Sequence, residues 1–230
     1  MKVVRTVWRA EKVVSVSMEP ENGAVETFKA GQFMQLSVGD GKELTRYLSI
    51  SNSPTEKGIL EATKKLTGSL FSDRFSALAP GSEVRVKYPM GNLTLDEGRG
   101  RIAFLSGGIG ITPIRGMLRF ISDTNAGTDC VLIYANRTYG DIVFFEDLAD
   151  MSKKNQKFRI VHTLSSAPRG WKGRVGRIDR DMISVEVPDY RERLFYVCGP
   201  PGMVSAMTDI LRKDLNVSHE MIKTENFIGY

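Results

Sequence analysis

The hydrophobic period of the chain changes near residue 98, and this change most constrains the fold. Before it, short segments alternate apolar and polar residues between turn residues, as half-buried strands do. After it, short apolar runs are each followed by apolar residues at helical spacing, which indicates strands that alternate with helices. We therefore predict two domains in the 230 residues, at 1–97 and 98–230.

The first domain is predicted to be a small antiparallel β-barrel. Met34 and Leu36 alternate with polar residues, and Asp40-Gly41 supplies a hairpin signal before the alternation resumes. Several short strands at this spacing are typical of a barrel. The strand candidates, each bounded by turn residues, are 32–38, 44–50, 58–66 and 83–88.

The second domain is predicted to be an α/β domain. Its first helix is expected to have Thr112 as the N-cap and Pro113 at the first helical position. Strands alternating with helices imply a parallel sheet with crossover helices. The apolar strand segments are 102–105, 131–134 and 194–197, and the second helix is expected at 144–151.

Two glycine-rich turns follow buried strands of the second domain, at 107–113 and 197–203. Glycine lets the backbone approach a pyrophosphate, and the N-terminus of the following helix offers free N–H groups. The first turn departs from the dinucleotide fingerprint G-x-G-x-x-G because Pro113 stands at the last position. Ligands of open α/β sheets lie beyond the carboxyl ends of the strands, so both turns favour a nucleotide there. Purely structural turns are the alternative.

The segment Arg46-Tyr47-Leu48-Ser49 lies in a predicted strand of the barrel. The period of two places Tyr47 and Ser49 on one face, where a ring can stack on a flat cofactor and a hydroxyl can bond its edge. Arg46 can fork onto a phosphate. An exposed polar strand face is the alternative.

These motifs, in this order, resemble the ferredoxin–NADP reductase superfamily over nearly the whole chain. In that family a flavin-binding, six-stranded antiparallel Greek-key β-barrel precedes an α/β parallel-sheet domain that binds a nicotinamide nucleotide. We match Arg46, Tyr47 and Ser49 to its R-x-Y-S signature. The turn Tyr88-Pro89-Met90-Gly91 resembles its G-P-x-G turn, with tyrosine in place of the first glycine.

The resemblance implies two cofactors, FAD and either NADPH or NADH. It assigns catalytic roles to Ser49, near the reactive nitrogen of the flavin, and to Cys198, which shapes the hydride-transfer pocket. The residues it implies for FAD are Arg46, Tyr47, Leu48, Ser49, Thr63, Lys64, Lys65, Gly68, Leu70, Phe71, Ser72 and Thr112. Those it implies for the nicotinamide nucleotide are Gly107, Gly108, Gly110, Ile111, Cys198, Gly199, Pro200, Pro201 and Met203. The tail 225–230 resembles family tails that reach the flavin face, with a frayed terminus as the alternative.

The choice between the two nucleotides depends on the residues after the second strand. Ala135-Asn136-Arg137 stands there without the acidic residue that would repel a 2′-phosphate. Arg137, and Arg169 farther along, are candidate contacts to that phosphate, and solvated arginines are the alternative for both. We expect NADH and NADPH both to serve.

The implied function is that of an NAD(P)H-dependent flavoprotein reductase, which passes a hydride to bound FAD and then electrons to a separate acceptor. A built-in iron–sulfur cluster needs four cysteines, and the chain has only Cys130 and Cys198. The net charge of +5 favours an acidic electron carrier such as a ferredoxin. The alternatives are a reductase of free flavin and an electron-transfer subunit of a larger complex.

Other classes of function are disfavoured by composition and pattern. The chain has no aromatic-plus-basic stacking runs and no recognition helix, so nucleic acid is not an expected partner. His162 and His219 lack partners at ligand spacing, so no metal is expected. Because no signal peptide or apolar run of about 18 residues occurs, we expect no membrane insertion and a cytoplasmic location.

Overall fold

The structure, a computed structural model, describes residues 1–21, 23–125 and 127–227. Its N-terminal part forms two antiparallel three-stranded sheets, ordered β1-β2-β5 and β4-β3-β6. Tyr230 and its neighbours Ile228 and Gly229, which belong to the predicted tail, lie outside the described residues. The strands are β1 (Lys2–Ala10), β2 (Val13–Glu19), β3 (Phe33–Ser37), β4 (Thr45–Ser49), β5 (Leu60–Lys65) and β6 (Arg85–Met90).

The two sheets close into a barrel through two isolated bridges. Lys2 pairs with Glu83 at one seam, and Ile50 pairs with Ala62 at the other. The helix α1 (Leu70–Ser76) packs Phe71 and Phe75 into the barrel core, with their rings stacked 5.7 Å apart. The predicted antiparallel barrel is therefore confirmed.

The strand prediction omitted β1 and β2. In β2 the valines alternate with serines, yet Ser15 and Ser17 are as buried as Val14 and Val16. Both faces of this strand are therefore covered, one by the apolar core and one by polar side chains. The predicted hairpin turn at Asp40-Gly41 is part of a longer loop, because a 3₁₀ turn at Lys42–Leu44 precedes β4.

The C-terminal part is a parallel six-stranded sheet in the described residues, ordered β10-β9-β8-β7-β11-β12. One apolar cluster covers the face packed by α2 and α3, and a second covers the face packed by α4 and α5. The predicted α/β domain is confirmed. The strands are β7 (Arg101–Gly107), β8 (Asp129–Asn136), β9 (Phe158–Leu164), β10 (Arg174–Val175), β11 (Leu194–Gly199) and β12 (Ile222–Asn226). The helices are α2 (Ile111–Thr124), α3 (Phe145–Lys154), α4 (Arg180–Glu186) and α5 (Pro201–Asp209), and none in the described ranges is long and apolar enough to span a bilayer.

The start of α2 differs from the prediction. A 3₁₀ turn at Gly108–Gly110 leads directly into the helix, so Gly110 is the N-cap and Thr112 lies inside the first turn. The Thr112 hydroxyl donates to the carbonyl of Ile109 over 3.0 Å. Pro113 is tolerated at the third helical position because the first N–H groups of a helix have no intrahelical partner.

Strand order reverses between β7 and β11, which makes their carboxyl ends a topological switch point. There the turn after β7 lies against the end of β11. A Cβ on Gly110 would stand 2.3 Å from the carbonyl oxygen of Cys198, and one on Gly107 would stand 2.3 Å from Sδ of Met203. Glycine is required at Gly110 because the obstacle is backbone.

We predict that Gly110→Ala destabilises the fold by about 1–3 kcal/mol, since the added methyl group forces β11 away from the glycine turn. The matched control is Gly202→Ala, because Gly202 lies in α5 and a Cβ there would have no atom within 4 Å beyond its chain neighbours and its own helix backbone. Urea unfolding measures both. A Gly110→Ala protein as stable as the Gly202→Ala protein would contradict the close approach.

Candidate functional site

A cavity of about 1020 Å³ opens along the carboxyl edge of the parallel sheet. Its wall includes residues that follow five successive strands of that sheet, and the barrel closes it with 10–13 at the β1–β2 turn. Six residues predicted for the cofactors line it together. They are Lys65, Gly107, Gly108, Arg137, Pro200 and Met203.

The glycine turn after β7 is held from beneath by Tyr134 of β8. Its hydroxyl donates to the carbonyl of Gly108 over 3.0 Å, and Gly108 has a φ of +53°. Tyr134 is fully buried, and burial raises the pKa of its hydroxyl, so it stays a neutral donor. Gly199 packs against Gly107, which brings the two predicted glycine turns into contact.

Positive charge dominates the wall of the cavity. Lys12, Lys65, Arg137 and Arg177 line it, and the acids are Glu11 and Asp141. The carboxylate of Asp141 accepts bonds from the backbone N–H and the hydroxyl of Thr138, at 3.0 and 2.6 Å, which engages it locally. The sequence analysis missed Arg177, which follows Gly176 just after β10, and its other candidate Arg169 is exposed and outside the cavity lining.

A buried amide at the end of β8 also lies in this wall. Asn136 is 8% exposed, and neither atom of its side-chain amide makes a hydrogen bond of good geometry, although the Tyr134 hydroxyl is close. Buried polar atoms ordinarily have partners. The cavity wall therefore combines the unpaired amide of Asn136, the two glycine turns and four cations. This combination fits a phosphorylated nucleotide.

A second cationic cluster lies on the barrel. The guanidinium of Arg46 and the ammonium of Lys64 stand 5.4 and 5.9 Å from the ring centroid of Phe71. Lys64 is buried, and burial, together with the charge of Arg46, lowers its pKa. Arg46 and Lys64 thus place two cations beside one ring, a charge arrangement that fits the pyrophosphate of FAD.

The predicted second phosphate turn lies beside this cluster. Gly68 has a φ of +68°, and Ser72 is buried with its hydroxyl accepting from the backbone N–H of Thr67 over 3.1 Å. The side chain of Ser69 caps α1 by accepting from the N–H of Ser72 over 3.3 Å. Leu70 is half exposed at the start of the helix.

Residues of β4, the strand that carries Arg46, differ in their exposure to solvent. Tyr47 is 61% exposed, with its ring edge-on to Phe33 at 5.9 Å and its hydroxyl accepting from Gln35 over 3.0 Å. Leu48 and Ser49 are buried. Counted from Arg46, the tyrosine of R-x-Y-S falls on Leu48, so the tyrosine of this chain stands one position early.

Four further predicted residues lie outside the cavity lining. The hydroxyl of Thr63 joins those of Ser15 and Ser51, at 2.7 and 2.9 Å. Ile111 and Thr112 are buried in the first turn of α2. Pro201 is exposed at the start of α5.

A row of polar side chains crosses the sheet at the switch point. Cys198 of β11 is in register with Ser106 of β7 and with Glu225 of β12. Burial and the neighbouring Glu225 raise the pKa of the Cys198 thiol, so it is neutral and no nucleophile. Burial raises the pKa of Glu225 to about 7, and its Oε2, like Oγ of Ser106, is buried without a partner. The sequence analysis identified Cys198 and the tail from Glu225 but missed Ser106.

The histidines lie apart from this row. His162 of β9 packs between Tyr134 and Phe145, and burial lowers its pKa, which keeps the imidazole neutral. His219 is exposed. Among the described residues, no group of histidine, cysteine, aspartate and glutamate side chains is arranged to hold a metal ion.

Comparison with known families gives a match for each part of the chain. Residues 8–95 match the oxidoreductase FAD-binding domain, and residues 104–209 match the oxidoreductase NAD-binding domain. The chain belongs to the ferredoxin reductase-like FAD/NAD-binding family. The resemblance inferred from the motifs and the two cofactors it implied are thereby confirmed.

Curated relatives of this family member include reductases with different partners. The chain is 30% identical over 229 residues to the glycine betaine monooxygenase reductase subunit of Pseudomonas aeruginosa, covering 96% of this chain and 62% of that one. It is 31% identical over 175 residues to NADH-cytochrome b5 reductase 1 of Mortierella alpina, covering 74% and 59%. The chain thus spans about three-fifths of the length of these relatives.

Solved structures of the family share the fold. The cytochrome P450 reductase GcoB of Amycolatopsis superposes with a TM-score of 0.85 at 26% identity, covering 98% of this chain and 68% of that one. A ferredoxin NADP⁺ reductase from Neisseria gonorrhoeae with bound FAD and NADP superposes with a TM-score of 0.82 at 21% identity, covering 98% and 96%. At that identity the second comparison shows the fold alone.

We predict that Glu225 makes stability fall as pH rises. Its folded-state pKa is about 7 against an ordinary value of 4.5, so between those values the folded protein keeps a proton that the unfolded chain has released. The loss amounts to about 3 kcal/mol between pH 4.5 and 7 and levels off above pH 7. Glu225→Gln removes this contribution.

Urea unfolding of both proteins at pH 5, 6, 7 and 8 checks this prediction. From pH 5 to pH 7 the free energy of unfolding of the parent should fall relative to that of Glu225→Gln. Two parallel stability curves would show that Glu225 titrates normally.

Proposed function

We propose that this chain is an NAD(P)H-dependent flavoprotein reductase that passes a hydride to bound FAD and electrons onward to a separate acceptor. One observation carries the proposal: a cavity suited to a dinucleotide is walled by both the barrel and the α/β domain. A nucleotide in it therefore lies at the junction with the flavin-binding barrel. We place the boundary between the two domains at 97/98.

The proposed roles of the side chains follow from their positions. When bound, FAD supplies the redox chemistry by accepting a hydride and releasing electrons to an acceptor. Arg46 and Lys64 hold its phosphates, with Ser72 at the second phosphate turn. Ser49, from the end of β4, supplies a hydroxyl at the reacting edge. Cys198, neutral and fully buried, shapes the floor of the nicotinamide pocket and excludes water from it.

The retention of FAD tests the barrel site. Lys64→Met removes a cation from the phosphate cluster and should weaken FAD binding about 10- to 100-fold, because a charge-assisted hydrogen bond contributes about 1.5–3 kcal/mol. Lys87→Met is the control, since Lys87 is exposed on β6. Titration of the flavin-free proteins with FAD, followed by fluorescence, gives both dissociation constants.

Equal affinities in the two variants would place the phosphates elsewhere. A parent protein that is purified without flavin and binds FAD only weakly would favour a reductase of free flavin. Strong FAD binding without any NAD(P)H-dependent reduction of a dye would favour an electron-transfer subunit without independent turnover.

We further propose that both NADH and NADPH serve and that Arg137 and Arg177 favour NADPH. Both arginines line the cavity, and no acidic residue stands directly after β8 to repel a 2′-phosphate. Arg137→Ala and Arg177→Ala should each lower kcat/KM for NADPH about tenfold and leave that for NADH nearly unchanged. Arg169→Ala, outside the cavity lining, is the control. Equal losses with both nucleotides would contradict the assignment.

The proposed acceptor is an acidic electron-carrier protein such as a ferredoxin. The net charge of +5 supports complementarity to a negative surface. The glycine betaine monooxygenase reductase subunit, by its name, serves an oxygenase, and an oxygenase component is the second candidate acceptor. Reduction of an acidic carrier should slow as salt is added, and salt-independent rates would count against this choice.

A further inference from the structure

The backbone of α2 lies directly on the barrel. A Cβ on Gly116 would stand 3.0 Å from the carbonyl oxygen of Asn52 and 3.4 Å from that of Ile50. This segment of the barrel continues from β4, which ends at Ser49. At the other end of the same contact, α2 begins at the glycine turn of the nucleotide cavity. One helix thus joins the two cofactor sites.

Arg115, next to that glycine, bonds across the junction. Its guanidinium binds both carboxylate oxygens of Glu56, with Nη2 donating to Oε1 over 3.1 Å, and its Nη1 donates to the carbonyl of Ser51 over 3.3 Å. Its Nε donates to Oδ2 of Asp147 in α3 over 2.5 Å. The Arg115 side chain is 7% exposed, and it ties the barrel segment 51–56 to two helices of the α/β domain.

A second link runs parallel to the first. The ring of Phe144 lies between Arg115 and Arg9 of β1, whose guanidinium carbons stand 5.7 and 5.0 Å from its centroid. Phe144 has a φ of +62°, a backbone conformation that is rare and strained for a bulky residue. Arg9 in turn binds the buried Glu61, and Glu61 accepts from the hydroxyl of Ser51 over 3.0 Å. Both links therefore end at Ser51.

We propose that Arg115 is a positioning residue that sets the distance between the bound flavin and the bound nicotinamide. It holds Ser51, two residues beyond Ser49, against the helix that starts at the glycine turn and carries Thr112 one turn before Arg115. The proposal rests on the function proposed above. A displacement of about 1 Å between reacting groups slows a reaction about 100-fold, so a fixed junction bears directly on rate.

The test pairs Arg115→Lys with Arg193→Lys as a matched control. Arg193 is equally buried, and its guanidinium binds the carboxylates of Asp189 and Asp129 at 2.6 and 2.8 Å, but all its partners lie within the α/β domain. Both variants lose a buried guanidinium that binds the carboxylates of two different acids. Only Arg115→Lys loses one that crosses the junction.

Three readouts are made on the FAD-loaded proteins. Arg115→Lys should lower the single-turnover rate of flavin reduction at saturating nucleotide about 10- to 100-fold, while the dissociation constant for NADP⁺, measured by calorimetry, changes less than about threefold. In the same variant, nitroxide labels are attached at Lys87→Cys and Lys213→Cys, and the distribution of distances between them should broaden. Both native cysteines are buried, so the labels attach to these exposed positions. Arg193→Lys should lose comparable stability with an unchanged rate and label distance.

Two results would overturn the proposal. One is a reduction rate in Arg115→Lys equal to that in Arg193→Lys. The other is a slowed Arg115→Lys with an unaltered distance distribution, which would assign the effect to something besides the junction.

If Arg115→Lys does not fold, Glu56→Gln replaces it, since it keeps the shape of the side chain and removes one charge. A smaller slowing with the same broadening is then expected, and an unchanged rate contradicts the proposal. Failure of NAD(P)H to reduce the parent protein would instead contradict the proposed function.

Discussion

The rest of the structure depends on the close contact between the backbone of α2 and the backbone around it. At the start of α2, Gly110 packs against the carbonyl of Cys198. Farther along the helix, Gly116 packs against the carbonyls of Ile50 and Asn52. Side chains larger than hydrogen at either position would separate the surfaces. This contact holds the glycine turn of the α/β sheet close to the barrel segment that follows β4.

Polar groups in the interior divide into two kinds. Those at the domain junction are satisfied, as Arg115 is by Glu56, Asp147 and Ser51. Among the described residues, the side chains with a buried polar atom that makes no hydrogen bond lie in the carboxyl-terminal halves of the parallel strands, namely Ser106, Asn136, His162 and Glu225. An unpaired buried polar atom is costly unless a ligand or water completes it. This distribution supports the proposal that the cofactors bind at the carboxyl edge of the sheet.

The sequence predicts the main architecture because it depends on local patterns. The change of period separates the barrel from the α/β sheet, and the two glycine turns fall at the switch point where the structure places them. The pattern does not predict strand β2, because its polar face is buried against Glu61 and hydroxyl groups. Alternation of apolar and polar residues cannot show that a polar face is buried. The sequence pattern predicts the start of α2 too late along the chain, because the 3₁₀ turn before the helix carries no signal distinct from that of a loop.

The parts of the site that the sequence did not predict are pairings of distant residues. Arg115 and Glu56 are 59 positions apart, and neither stands in a motif. Arg177 reaches the cavity only because β10 adds to the sheet edge. Ser106 can be identified as a candidate site residue only from the strand register, which places it beside Cys198. Such relations arise from tertiary packing, whereas the motifs of the glycine turns and of Arg46 depend on neighbours in sequence.

We propose that this chain by itself brings a nicotinamide nucleotide and a flavin into contact. Anaerobic stopped-flow mixing of the FAD-loaded protein with NADPH carrying deuterium at the transferred position tests it most directly. We expect loss of the flavin absorbance within one turnover, slowed by deuterium relative to the unlabelled nucleotide. A flavin band that stays unchanged with both NADPH and NADH would contradict it.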